Sequence, residues 1–151
     1  QVDITALCKK VASQMSLLAT DKKLQLKQEI QDNLVMQGDE MALSRLLIIL
    51  LDNAMKYSPE QTQITLRAAE VKTHLVLEVR DEGCGIGDED KQKIFDRFFR
   101  VDKARSRSQG GLGLGLSLAL AIVRQHGGSI KVLDNKPLGT VMYVQLPTAA
   151  K

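Results

Sequence analysis

The sequence predicts an α/β two-layer sandwich: a mixed, largely antiparallel sheet with three main helices on one face. Three observations carry this. Apolar residues recur at helical spacing in separate long stretches, short alternating runs lie between and after them, and Gly, Pro, Asn or Asp marks the junctions. With 151 residues, 44% of them hydrophobic, the chain is long enough to bury a sizeable core, and residues 1–151 are read as one domain.

The elements follow in order. Asp3 is placed to cap a helix over residues 4–19, where Ala6, Leu7, Val11, Ala12, Met15 and Leu18 recur at i, i+3, i+4 spacing. Residues 24–30 (LQLKQEI) alternate as a half-buried strand, with 34–36 as its short partner. Gly38 and Asp39 end that stretch, and Asp39 caps a helix from Glu40 to Tyr57 that stops before Ser58-Pro59. Residues 63–69 and 75–79 read as neighbouring strands joined by a turn near Lys72-Thr73. A glycine-broken loop, 81–87, precedes a short helix over 89–95. Residues 96–109 are rich in Arg, Lys and Ser without an apolar period, and read as a mobile loop. A helix over 114–125 is closed by Gly127-Gly128, and strands 129–133 and 140–146 form a hairpin across 135–139.

Charge and cysteine usage narrow the partners. A formal net charge of +3 falls well short of the Lys/Arg clustering that marks a nucleic-acid surface, so no nucleic-acid partner is expected. No apolar run approaches the roughly 20 residues of a membrane-spanning helix, and the start QVDITALCKK is not a signal peptide, so no membrane contact is expected of this stretch. Cys8 and Cys84 lack metal-ligand spacing, which favours a reducing, cytoplasmic setting. The start without Met suggests a piece of a longer protein.

Three stretches carry chemistry. In GGLGLGLSLALAIV, Gly110–Val123, glycines lead directly into an apolar helix. A P-loop needs Lys and then Ser or Thr after its last glycine, whereas Gly115 is followed by Leu116-Ser117. The dinucleotide fingerprint needs a different glycine count and a preceding strand, whereas here Gly111, Gly113 and Gly115 follow a charged loop. Two readings survive: bare backbone N–H groups that approach phosphate oxygens at a helix start, or glycines that allow close packing or a hinge. On the helix Glu40–Tyr57 the run LLIILL makes nearly every side apolar, yet Asn53, Lys56 and Tyr57 share one face at i, i+3 and i+4. An amide oxygen beside a lysine suits a hard cation with phosphates; equally, the Asn can be structural and the Lys/Tyr pair a helix end. In RDEGCGIGDED, Asp81 stands at a strand end, where its carboxylate can accept from an exocyclic amine such as that of adenine, or merely belong to an acidic turn.

Taken together, Asn53 in LLDNAMKYS, DEGCGIG from Asp81 to Gly87, IFDRFF around Phe95, Phe98 and Phe99, and GLGLG from Gly111 to Gly115 resemble, in order and spacing, the asparagine, first glycine, phenylalanine and second glycine boxes of the histidine-kinase ATP-binding domain. That domain shares a superfamily, and the Bergerat-type ATP-binding fold, with DNA gyrase, a heat-shock chaperone and mismatch-repair ATPases. The phenylalanine-rich segment points to a bacterial two-component sensor kinase.

The resemblance implies ATP and Mg²⁺ as ligands. It implies that Asn53 ligates the metal, that Lys56 neutralises phosphate charge with Tyr57 near the nucleotide, and that Asp81 accepts the adenine amine against a wall of Gly83, Gly85, Ile86 and Gly87. Residues 96–110 become the ATP lid, with Arg97, Arg100, Lys103 and Arg105 as candidates to touch the γ-phosphate or the acceptor domain, and Gly111, Leu112, Gly113, Leu114 and Gly115 closing over the triphosphate. Asn53, Lys56, Arg97 and Arg100 are the expected catalytic groups.

The chain departs from the family at one position: where many kinases carry a second Asn and gyrase-like ATPases a water-activating Glu, four residues before Asn53, it has Ile49. An isoleucine cannot activate water, which argues against a self-contained ATP hydrolase. His74 and His126, the chain's two histidines, lack the acidic context of a kinase acceptor helix. The expected partners are therefore a dimerisation and histidine-acceptor domain of the parent kinase, itself membrane-anchored by family habit, and a downstream response regulator. A degenerate, non-transferring nucleotide module and an anti-sigma-type Ser/Thr kinase of the same fold are the alternatives.

Overall fold

The computed structural model describes residues 1–96 and 115–148. Chain order is β1 (Val2–Asp3), α1 (Ile4–Asp21), β2 (Gln25–Ile30), β3 (Val35–Met36), α2 (Glu40–Tyr57), β4 (Gln63–Val71), β5 (His74–Arg80), a 3-10 turn (Lys93–Phe95), α3 (Gly115–Gln125), β6 (Ser129–Asp134) and β7 (Thr140–Pro147). The expected two-layer sandwich is present. A five-stranded sheet in the order β2-β4-β5-β7-β6 is antiparallel throughout except for the parallel β2–β4 pair, and α1, α2 and α3 cover one face.

Local chemistry accounts for the helix ends. Asp3 accepts the Ala6 N–H at 3.0 Å and Asp39 the Ala42 N–H at 3.2 Å, so each carboxylate satisfies a donor that the first helical turn leaves without a partner. α2 lies between α1 and α3 and packs on both, which accounts for most of the run LLIILL: Leu46, Leu47, Leu50 and Leu51 are at most 1% exposed, while Ile48 faces outward. Strand alternation turns Leu75, Leu77 and Val79 of β5 into this core. On the opposite face, buried Glu78 pairs with Arg67 and with Arg80 at 3.1 Å, giving its carboxylate the partners that burial demands.

Two expectations are corrected. The 34–36 strand does not pair with 24–30. β3 pairs with β1, Val2 opposite Met36, while the Ile4 N–H reaches the Leu34 carbonyl at 2.8 Å and Thr5 Oγ1 bridges the Gln31 carbonyl and the Leu34 N–H. Burial of Leu34 and Met36 beside the start of α1 draws the segment there, leaving β2 to pair in parallel with β4. The short helix expected over 89–95 is a run of turns ending in the Lys93–Phe95 3-10 turn, because only its last residues, buried Ile94 and half-buried Phe95, pack on the core.

Both histidines are placed. His74 is exposed on β5. His126 joins two helix ends: Nδ1 donates to the Ile122 carbonyl at 2.8 Å and Nε2 accepts the Asp39 N–H at 3.1 Å, which assigns the proton to Nδ1.

Leu50→Ala should destabilise the domain by about 2–5 kcal/mol, because its side chain is fully buried between helices and sheet. Met41→Ala, at 80% exposure on the same helix, should stay within about 0.5 kcal/mol. Chemical denaturation of both variants checks the contrast.

Candidate nucleotide-binding site

At the end of the sheet where β5 stops, a cavity of about 280 Å³ is lined by Asn53, Tyr57, Asp81, Gly83, Cys84, Gly85, Ile86, Ile94, Leu116 and Thr140. Three elements build it. The last turns of α2 present Asn53 and Tyr57, the turn after β5 supplies residues 81–86, and the start of α3 supplies Leu116.

Asp81 is the best-held group in this cavity. Its Oδ1 accepts the Gly83 N–H at 2.9 Å and the Thr140 N–H at 3.1 Å; its own N–H donates to the Thr140 carbonyl at 2.9 Å, and its carbonyl accepts from Asn135 Nδ2 at 2.8 Å. The residue is 8% exposed. Burial pushes its carboxyl above the ordinary carboxylate value, and the two backbone N–H groups oppose the shift by stabilising the ionised form.

Two glycines are sterically required here. A Cβ on Gly83 would stand 2.6 Å from the Tyr57 carbonyl oxygen, so the turn lies directly on the end of α2. A Cβ on Gly139, whose φ is +119°, would stand 2.0 Å from the Asp81 carbonyl oxygen, so the β6–β7 turn is pressed onto the back of the same residue.

Asn53, Tyr57, Asp81, Gly83, Gly85 and Ile86 thus share one cavity. Lys56 and Gly87 are not among its lining residues; Lys56 pairs with Asp52 at 3.0 Å on its own helix, and Gly87 stands in open space. Gly115 opens α3, where a Cβ would stand 3.5 Å from Ile49 Cγ2, so this isoleucine fills the junction between α2 and α3. Arg97, Arg100, Lys103, Arg105, Gly111, Leu112, Gly113 and Leu114, together with Phe98 and Phe99, lie outside the described residues.

Sequence reasoning missed Thr140, Ile94, Leu116 and Cys84 as lining residues, and Asn135 behind Asp81. Thr140 was within reach of the pattern: if 140–146 pairs antiparallel with 75–79, the start of the later strand must meet the residue after the earlier one.

Among the described residues no group of three His, Cys, Asp or Glu is arranged to hold a metal, and no hydrogen bond to the Asn53 side chain is found among them. A hard cation at this site would take one oxygen from the Asn53 amide and the rest from its ligand and water.

The whole arrangement has known counterparts. Residues 38–150 match the family model described as histidine kinase-, DNA gyrase B- and HSP90-like ATPase. The chain belongs to this ATPase family. It is 43% identical over 108 residues to the sensor protein CiaH of Streptococcus pneumoniae, covering 72% of this chain and 24% of CiaH. It is 32% identical over 146 residues to the sensor-like histidine kinase SenX3 of Mycobacterium tuberculosis, covering 97% of this chain and 36% of SenX3. It therefore spans about a quarter of the length of the first of these relatives and a little over a third of the second. Among solved structures, the catalytic domain of histidine kinase ThkA superposes with a TM-score of 0.87 at 26% identity over 98% of this chain and 94% of that one. The mycobacterial sensor histidine kinase MprB superposes with a TM-score of 0.85 at 28% identity over 99% of this chain and 97% of that one. The architecture is the Bergerat fold of histidine-kinase catalytic domains.

The raised carboxyl at Asp81 has a sign that can be measured. A group whose folded value lies above its unfolded one supports the fold most at low pH, and that support is lost as pH rises from the ordinary carboxylate value of about 3.9 through the folded value. Asp81→Asn keeps an oxygen for both backbone donors and removes the buried charge. In thermal melts of the ligand-free domain, its stability relative to wild type should rise with pH across this window and then level off. A difference that stays flat with pH would contradict the assignment.

Proposed function

We propose that this chain binds Mg·ATP in the cavity between α2, the turn after β5 and α3, and passes the γ-phosphate to a histidine on a separate dimerisation and acceptor domain of a parent two-component kinase. One observation carries the reading: a buried carboxylate, fixed by backbone donors at one oxygen, faces the same cavity as an asparagine amide that no described residue engages. The names of the relatives support it, and so does the solved ShkA structure, a complex with AMPPNP, whose TM-score to this chain is 0.83 at 25% identity.

In this reading Asp81 accepts a hydrogen bond from the adenine amine, while Ile86, Ile94 and Leu116 exclude water around the base. Asn53 holds Mg²⁺ through its side-chain oxygen, and the ion supplies charge neutralisation to the phosphates. Lys56, held at the rim by Asp52, adds a positive charge near the phosphates. Residues 96–110 form the lid, in which Arg97, Arg100, Lys103 and Arg105 meet the γ-phosphate or the acceptor domain, and the glycines from Gly111 to Gly115, with Leu112 and Leu114, fold over the triphosphate. The acceptor imidazole, neutral at one nitrogen, is already a nucleophile, so positioning and charge neutralisation account for most of the acceleration. Residues 1–151 act as one catalytic domain, working on the cytoplasmic side with a response regulator as the final phosphate acceptor.

Calorimetric titration with a non-hydrolysable ATP analogue, with and without Mg²⁺, tests the site. Wild type should bind one equivalent and bind more tightly with Mg²⁺. Asp81→Asn should weaken binding roughly 10- to 100-fold, the worth of a hydrogen bond to a charged group, and Asn53→Ala should remove most of the Mg²⁺ dependence. Unchanged curves for both variants would overturn the site. Transfer of phosphate to a separately supplied acceptor domain, as an acid-labile product, would separate the histidine kinase from a non-transferring module and from a Ser/Thr kinase.

A further inference from the structure

We propose that Asn135 is a positioning residue for base selection, acting through Asp81; the inference rests on the nucleotide reading above. The β5–β7 ladder ends as the Asp81 N–H reaches the Thr140 carbonyl, and past that point the Asp81 carbonyl has no strand partner. Asn135 takes its place. Its Nδ2 donates to the Asp81 carbonyl at 2.8 Å, its Oδ1 accepts the Lys136 N–H at 3.1 Å, and its own N–H closes the turn on the Gly139 carbonyl at 3.0 Å. Because the amide oxygen is occupied by a backbone donor, the nitrogen is the end that must face Asp81.

The peptide after Asp81 is therefore pinned at its carbonyl, and the next link is geometric. The Gly83 N–H that holds Asp81 Oδ1 lies only two residues further along the chain, so rotation of that peptide would carry the donor away from the carboxylate. With Asn135 in place, Oδ1 is held by two backbone donors and the second oxygen is left to receive a ligand's hydrogen. At ring position 6 adenine offers an amine, whereas guanine offers a carbonyl oxygen, its own donors lying at N1 and the 2-amine. A carboxylate in a fixed rotamer rewards the first and repels the second, and one free to rotate loses that preference.

The test compares Mg·ATP and Mg·GTP affinities of wild type, Asn135→Asp and Asn135→Ala by calorimetric titration and competition, each alone and combined with Asp81→Asn. Asn135→Asp is isosteric and keeps the oxygen that accepts from Lys136, so it carries the test if the alanine variant fails to fold. ATP should bind about tenfold more weakly to both single variants, GTP should change less than twofold, and in the Asp81→Asn background the second substitution should add nothing. Parallel losses for ATP and GTP, or a full further loss in the Asp81→Asn background, would mean that Asn135 merely supports the fold and would overturn the proposal. Wild type that binds neither nucleotide would overturn the nucleotide reading itself, before any variant is compared.

Discussion

The site depends on the junction between the end of β5 and the start of β7. Here a ladder that could simply stop is instead closed by a side chain: the Asp81 N–H donates to the Thr140 carbonyl, and the Thr140 N–H donates to the Asp81 carboxylate. An ionised carboxylate buried without partners is strongly disfavoured, so the chain tolerates one at 8% exposure only because two N–H groups face it. Everything around it is arranged to let those donors approach. Gly139 has no side chain to collide with the Asp81 carbonyl, and Gly83 has none to collide with the end of α2. The turn after β5 is therefore clamped between a helix and a hairpin that lie more than twenty residues away from it in sequence on either side.

α2 serves the same site from the other direction. Its middle turns are buried between α1, α3 and the sheet, with Arg45 and Ile48 on the one exposed side, which fixes the helix in rotation and translation. Near its end the rotation set by the leucines turns Asn53 and Tyr57 toward the cavity, while Lys56 pairs with Asp52 outside the lining. The core and the site are thus one problem in packing: a shifted leucine layer would carry Asn53 with it. Ile49 belongs to this layer as well, filling the α2–α3 junction.

What was legible in the sequence was local. The bounds of α2 from Glu40 to Tyr57 follow from an Asp cap, an apolar run and a Ser-Pro stop, and they agree with the structure residue for residue. Asp81 could be placed at a strand end because LVLEV runs directly into a glycine-rich turn. What was not legible depends on partners distant in sequence. Thr140 and Asn135 look like ordinary hairpin residues until β7 is known to lie beside β5. The 34–36 segment alternates well enough for a strand beside 24–30, but the choice was decided by burial against α1, which no local pattern encodes. The 89–95 segment has helix-forming residues, yet only Ile94 and Phe95 at its end reach the core, too little to sustain a helix of its own.

The histidine clamp at the far end of α3 has a mechanical consequence. His126 ties that end to the turn before α2, and at Gly128 a Cβ would stand 2.2 Å from the Gln145 carbonyl oxygen, so the helix exit is also pressed against β7. At the opposite end a Cβ on Gly115 would stand 3.5 Å from Ile49 Cγ2, so α3 rests on α2 there as well. Its 11 residues give it a length of about 16 Å, and a rod that short transmits displacement as tilt: a shift at the His126 clamp would move Leu116, which lines the cavity at the other end.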